Sequence, residues 1–385
     1  MTLPVHVRQA ATRAAATARA YADEVDGAAR FPAEAVAALR DERLLALLIP
    51  AELGGAGLDI PDAAEVCALL GRACGSTAMI FAMHQIQVAC LVRHGLSQPA
   101  IREHLRLAAE RQSLCASGTS ERGADGIRAS LAALEPDGDG FVRLRKEIGT
   151  ISYAEAADTL LVTARRSAAA VASDQVLLLL DRVPTGAGER TDLTVTRPWH
   201  ALGLRGTGSV GATVDARVAH SRVLGDDFAH VLSTTMLPAS HVLWASVWLG
   251  IATDALDVAG RHLRRGARGP LPRGYVEHVT TLYELTAFCR QQAAAVSIRP
   301  GGDRDDVAGL REQVALNALK VRVSAGVVDL VVGAMTAIGL DAYLLDTPAS
   351  LGRHLRDAMS APLMIRNERL LDALGATLAV VKTLP

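Results

Sequence analysis

A change of period constrains this chain more than any other feature. From Pro32 to Val92 apolar residues recur at helical spacing. Between Leu114 and Val218 they gather instead into short segments rich in valine, leucine and threonine, and from about Ser233 the helical spacing returns. Pro32 to Arg40 starts with proline in the first turn of a helix, Pro50 and Gly54, Gly55 and Gly57 break the chain, a second helix runs from Pro61 to Leu70, and Thr77 to Val92 is apolar on most sides, which predicts a buried helix. The middle segments are Gly140 to Lys146, Thr159 to Ala164, Gln175 to Leu180, Leu193 to Thr196 and Gly211 to Val218, separated by glycine-rich breakers, and they predict an antiparallel sheet or small barrel. Long helices are then expected from His241 to Arg264, Tyr275 to Val296 and Asp306 to Ala337, with a last pair ending near Lys382. The expected fold is α+β: a helical domain over residues 1–113, a central antiparallel β-domain over 114–226 and a C-terminal four-helix bundle over 227–385.

Charge argues against several classes of function. With 40 basic and 41 acidic residues and 3% aromatics, the chain carries no basic stripe for nucleic acid or anionic lipid. Its five cysteines form no C-x-x-C pair, so neither a disulfide framework nor a cysteine metal site is expected, and no metal ligand set is readable from spacing. Met1 to Ala20 lacks an apolar core of the secretory type, and no uninterrupted apolar run reaches the roughly 18 residues of a membrane span. A cytoplasmic protein without nucleic-acid or membrane partners is the expectation.

Several motifs occur in a fixed order. Pro50 to Leu58 reads P-A-E-L-G-G-A-G-L, Cys115 to Ser120 reads C-A-S-G-T-S, and Lys146 to Ser152 reads K-E-I-G-T-I-S. Gly203 to Ser209 reads G-L-R-G-T-G-S, Arg265 to Gly269 reads R-G-A-R-G, and Arg356-Asp357-Ala358 lies near the end. Over nearly the whole chain this order resembles the acyl-CoA dehydrogenase superfamily.

The resemblance implies FAD held between the β-domain and the C-terminal bundle, across a subunit contact, in a homodimer or homotetramer. Thr119 and Ser120 then fall where the family meets the flavin's pyrimidine side, a place suited to hydroxyl and N–H donors because the reduced ring carries negative charge there. Thr150 or Ser152 falls near the flavin N5. Arg265 and Arg268 fall where an arginine forks onto the pyrophosphate, and Gly339 where a glycine loop closes over the cofactor. Arg268 replaces the family's phenylalanine, and Ala337 to Leu340 departs from its Gly-x-Gly-Tyr.

The family's reaction needs a glutamate to remove a proton beside a thioester carbonyl. Counting from Asp357, that position is Ile365, or Met364 with a one-residue shift, and neither side chain accepts a proton. The alternative position, early in the first C-terminal helix, is Ser240, with His241 beside it. Glu368 lies a turn further on. His84, in the cluster Ala82 to Gln87, is either a hydrogen-bonded core histidine or a group beside the flavin, as in the flavin monooxygenases of the superfamily.

The catalytic candidates are therefore His84, His241 and Glu368. Missing glutamates favour a flavin enzyme that uses oxygen on a thioester, aromatic or secondary-metabolite substrate, since oxygenation needs no α-proton base. The alternatives are α,β-dehydrogenation of an acyl-CoA or carrier-protein thioester by a non-standard base, and a non-catalytic scaffold. The small residues Ser360, Ala361 and Pro362, with Leu363, imply room for a bulky substrate.

Overall fold

The computed structural model describes residues 3–184, 186–266, 269–298 and 306–379. Arg268 and the end of the last expected helix lie outside them. Five helices come first: α1 (Val5–Ala28), α2 (Ala33–Asp41), α3 (Ile60–Ala73), α4 (Gly75–Gly95) and α5 (Pro99–Arg111). Seven strands follow: β1 (Cys115–Gly118), β2 (Glu135–Pro136), β3 (Phe141–Ile151), β4 (Thr159–Arg165), β5 (Gln175–Asp181), β6 (Arg190–Arg197) and β7 (Val210–Ala219). Helices then return as α6 (Phe228–Val231), α7 (Leu237–Gly266), α8 (Arg273–Ala295), α9 (Asp306–Ile338), α10 (Leu340–Tyr343), α11 (Gly352–Ala358) and α12 (Asn367–Leu378), with a π-helical turn at Leu232–Met236 between α6 and α7.

The strands form two sheets. One has the order β1-β4-β5 and the other β2-β3-β7-β6. All pairings are antiparallel except β1 with β4, which are parallel. Burial explains why the sequence patterns differ. Leu160 to Ala164 and Val176 to Leu180 are covered on both faces and run continuously apolar, whereas β3 and β7 alternate because one face meets solvent.

α3 starts on a capping box: the Ile60 N–H donates to Asp59 Oδ1 (2.8 Å) and the Asp59 N–H to Asp62 Oδ2 (3.1 Å). The same Asp59 accepts from the Ile298 N–H (3.0 Å) and the Ser297 hydroxyl, fixing the end of α8 to the N-terminal helices. α3 crosses α7 at a glycine pair. A Cβ on Gly71 would lie 2.4 Å from the Val247 carbonyl oxygen, and one on Gly250 would lie 2.5 Å from that of Ala68, so only glycine allows the approach.

α7, α8, α9 and α12 pack together as the C-terminal bundle. Among the described residues three helical segments, 75–95, 228–266 and 309–338, are long and apolar enough to cross a membrane by length and composition. The expectation that no span would be found rested on uninterrupted runs, which scattered polar residues break. The first two are packed inside the protein, but only 33% of the third is covered.

Candidate active site

The C-terminal end of β1 and the bent end of β3 form a shelf of hydroxyl and amide groups. The register of β3 against β7 shifts between Ile148 and Ile151, a bulge that turns Gly149 and Thr150 away from the ladder. Ser120 spans the two edges: its hydroxyl donates to the Thr150 carbonyl (2.7 Å) and accepts from the Thr150 N–H (3.0 Å). Ser117 and Thr119 share a hydrogen bond (3.2 Å). Ser152 is bonded to Ser209 (2.8 Å), and Ser209 to Thr207 (2.8 Å), so three hydroxyls run in a chain from β3 to the start of β7.

The acidic residue of this segment is turned away. The Glu121 side chain is only 5% exposed, accepting from the Ser130 hydroxyl (2.6 Å) and the N–H groups of Leu131 (3.0 Å) and Ala132 (2.8 Å), with Lys146 Nζ 3.7 Å away. Burial holds the Lys146 ammonium down at about 8, with Glu121 opposing the shift. The shelf thus presents donors without a carboxylate among them. That donor set suits an electron-rich ring edge carrying carbonyl and imino acceptors, as a flavin does.

The Gly203–Ser209 and Arg356-Asp357-Ala358 motifs occur together because they touch. The Leu204 N–H donates to Asp357 Oδ1 (2.6 Å). Gly203 lies so close to α11 that a Cβ there would be 1.9 Å from the Arg356 carbonyl oxygen. Leu204 itself sits in the left-handed region at φ 49°. Burial pushes the Asp357 carboxyl up to about 6, opposed by the Arg353 guanidinium and the Leu204 bond. Asp357 thereby anchors the loop that delivers Thr207 and Ser209 to the shelf.

Between α11 and α12 the chain makes the turn where the family's base is expected. Ile365 stands there at φ 52°, a conformation that costs a β-branched residue on the order of 1–3 kcal/mol. Lys320 on α9 holds it: the buried ammonium donates to the Ile365 carbonyl (2.6 Å) and to Asn367 Oδ1 (2.8 Å), and Ser324 also donates to Asn367 Oδ1 (3.0 Å). Burial lowers Lys320 to about 8, with the Glu368 carboxylate acting the other way. This clasp was not anticipated from the sequence. Its one signal is a lysine between Leu319 and Val321 in an apolar helix, the pattern of a buried polar group that needs partners.

The three catalytic candidates do not converge. His84 is enclosed in the N-terminal core, with Nε2 on the Leu45 carbonyl (2.7 Å) and Nδ1 accepting from the Cys115 N–H (3.0 Å). Burial lowers it to about 4, so it is a neutral ring joining α4 to β1 with both nitrogens occupied. His241 on α7 is buried, and neither ring nitrogen meets a hydrogen-bond partner among the described residues. Burial, then the Lys320 charge, brings it to about 4. Glu368 is exposed in the first turn of α12. His241 and Glu368 share electrostatic contact with Lys320, and His84 stands apart.

The candidates for the cofactor's far end are dispersed as well. Arg265 is exposed near the end of α7, and Gly339 precedes α10 at φ 83°. A cavity of about 740 Å³ lies elsewhere, at the opposite end of β1, lined by Arg40, His104, Arg111, Asp158, Asp181 and Arg222 among others. Its charges are largely paired: Arg40 with Asp158 (2.8 Å), and Asp181 with both Arg222 (2.8 Å) and His104 (3.3 Å).

Five N-terminal helices, a β-layer ending in a donor shelf and a helical bundle beside it define the acyl-CoA dehydrogenase fold. Residues 5–104 match the family model of the acyl-CoA dehydrogenase N-terminal domain, and the whole chain shares that family's fold. It is 29% identical over 263 residues to a dibenzothiophene monooxygenase of Rhodococcus erythropolis, covering 65% of this chain and 60% of that protein. It is 28% identical over 245 residues to a probable acyl-CoA dehydrogenase of Bacillus subtilis, covering 62% of each. The match thus spans less than two thirds of these relatives' length. FMN-bound TdsC of Paenibacillus sp. A11-2 superposes with a TM-score of 0.84 over 98% of both chains at 22% identity.

Proposed function

We propose that this chain is a flavin-dependent monooxygenase acting on a small aromatic or heteroatom-bearing molecule. One observation carries this reading. Both positions from which the fold delivers an α-proton base hold groups that cannot serve. Ile365 occupies the first, its backbone clasped by Lys320, and the Ser240 hydroxyl at the second is tied to the Met236 carbonyl (2.6 Å). His241 beside it is a weak base, because a conjugate acid near 4 gives little driving force for taking a carbon-bound proton. Oxygenation requires no such base.

The flavin supplies two-electron transfer and, when reduced, reaction with oxygen. Around it Thr119 and the Thr150 hydroxyl supply donors to the ring edge, Ser120 ties the two strand edges together through Thr150, and Ser152 is oriented by Ser209 and Thr207. FMN is the preferred form over the FAD that family resemblance suggests. Arg268 replaces the aromatic residue of the dinucleotide contact, and the loop at Gly339 lacks the family's glycine and tyrosine pattern. TdsC, a dibenzothiophene monooxygenase, is a relative in fold whose structure holds FMN.

The decisive experiment mixes anaerobically reduced, FMN-loaded protein with oxygenated buffer and follows the flavin spectrum, with indole and dibenzothiophene as probes and isotopically labelled oxygen. The expected result is a transient absorbing differently from both reduced and oxidised flavin, and label in the product. Featureless reoxidation, together with bleaching of the oxidised flavin by an acyl-CoA, would restore the dehydrogenase reading. Failure to retain either flavin would favour the scaffold.

Self-association accounts for the uncovered side of the bundle. α9 is strongly apolar yet only a third of its apolar stretch is fully buried, and Tyr283, Val332, Leu340, Tyr343 (73%) and Leu345 (76%) are exposed around it. The occupant we propose is a second copy of this chain. Light scattering is expected to give a dimer or tetramer for the natural chain and a monomer for the pair Tyr343→Glu and Leu345→Glu. An unchanged mass in that double variant would refute the contact.

A further inference from the structure

We propose that His94, Asp226 and His230 form a binding site for a divalent transition-metal ion of the zinc or cobalt type, separate from the flavin shelf. His94 is the next-to-last residue of α4, Asp226 precedes α6, and His230 lies within it. One ligand atom from each lies within 4.8 Å of the other two. The His94 and His230 rings meet edge to face at 5.4 Å between centroids. No sequence spacing reveals this set, since His94 lies 132 residues from Asp226.

Two structural observations favour a bound cation over a mere hydrogen-bonded cluster. The first is the support behind His94, whose side chain is only 2% exposed. Its Nδ1 faces Asp226 Oδ2 (2.6 Å) and its Nε2 faces the Thr235 hydroxyl (2.7 Å). Metal-bound histidines hold their second nitrogen in this way. A hydroxyl both donates and accepts. With no metal, Thr235 donates to Nε2 and Nδ1–H donates to Asp226. With a metal on Nδ1, the same proton sits on Nε2 and donates to Thr235. The site therefore changes tautomer without breaking that bond and without net loss of a proton from His94.

The second is the π-helical turn at Leu232–Met236, which carries Thr235. Such turns are rare and concentrate at functional sites. Here the widened turn holds the Thr235 hydroxyl against a histidine from another helix.

The ligand set selects the ion. Two imidazoles and one carboxylate suit zinc or cobalt, whereas magnesium and calcium take oxygen ligands. Tetrahedral zinc with bonds of about 2.0–2.1 Å needs its ligand atoms roughly 3.3 Å apart. His94 is fixed, so Asp226 and His230 must adjust by rotamer changes of under 2 Å in scale, which their exposure permits. Solvent then takes the fourth position. Such an ion would staple the end of α4 to the first turns of the C-terminal helices.

The test uses the full chain after chelator treatment and dialysis. Cobalt(II) titration should give a saturable one-to-one ligand-field spectrum, and zinc should displace the cobalt and raise the melting temperature. Asp226→Asn and His230→Ala alter exposed residues, so both should fold, as circular dichroism will verify. Each should weaken cobalt binding by at least roughly tenfold and abolish the zinc-dependent rise in melting temperature; Thr235→Val, behind His94, should weaken binding by about tenfold. Absence of saturable binding in the natural chain, or binding undiminished in both ligand variants, would overturn the proposal.

Discussion

Asp254→Ala should lower the free energy of unfolding by about 3 kcal/mol near neutral pH, because it breaks a buried charged network. Asp254 lies on α7 with its side chain 5% exposed. It accepts from Arg19 of α1 (2.7 Å) and from His354 Nε2 of α11 (2.9 Å), so one carboxylate joins the N-terminal layer, the long central helix and the helix of the Asp357 motif. Removing it leaves the buried His354 Nε2 without its partner and leaves the Arg19 guanidinium only the Arg72 carbonyl. The value belongs at the low end of the range for broken buried pairs because Arg19 is half exposed and can rehydrate.

Acid should reveal the same network. Burial alone would raise the Asp254 carboxyl, but hydrogen bonds from His354 and Arg19, and their charges, hold it well below the usual carboxylate range. A depressed folded-state value means that the contribution is fully present above the unfolded value of about 3.9 and is lost as pH falls below it toward the folded value. Denaturant unfolding at about pH 7 and about pH 3 should show the natural chain converging on the variant in acid. A difference under about 1 kcal/mol at neutral pH, or one that does not shrink in acid, would refute the assignment.

Much of the fold was legible because it is written in periodicity. The β3, β4, β5 and β7 segments were each anticipated within a few residues, since valine, leucine and threonine between glycine breakers leave few alternatives. The parallel pairing of β1 with β4 was not, because Cys115 to Gly118 is too short to carry a pattern. Side-chain roles were legible only where partners are also side chains or lie in a motif. Ser152 was singled out for its hydroxyl, but its bond to Ser209 exists only once β3 pairs with β7. His84 raised the right question, what a buried imidazole bonds to. Its partners are backbone groups of Leu45 and Cys115, and backbone groups leave no residue-type signal. The paired motifs around Gly203 and Asp357 were visible as a coincidence of order, and the Leu204 to Asp357 hydrogen bond supplies their physical cause.

Lys320→Met should reduce turnover by on the order of 100-fold while changing stability little, because the lysine positions a turn whose conformation the chain does not favour by itself. Two opposing effects act on stability. Methionine removes a buried charge, which is favourable, and leaves the Ile365 carbonyl without its donor, which costs about 1–3 kcal/mol. Asn367 keeps its bond from Ser324. Turnover has no such compensation, since nothing else among the described hydrogen bonds holds the Ile365 carbonyl at positive φ.

The pH dependence separates positioning from general stability. Lys320 titrates near 8 in the fold because burial disfavours its charge, whereas the unfolded chain keeps that proton to about 10.4. Between these values the native state has lost a proton that the unfolded state retains, so this group's contribution to stability rises with pH. The charge-assisted bond to Ile365 weakens over the same interval. Turnover should therefore fall above about pH 8 while Lys320 makes no matching loss of stability, and Lys320→Met should lack that alkaline limb. Limited proteolysis supplies a readout independent of the reaction: cleavage within residues 359–366 should accelerate in the variant. Turnover within about threefold of the natural chain, with unchanged cleavage, would show that the turn holds itself and that Lys320 is only a buried cation.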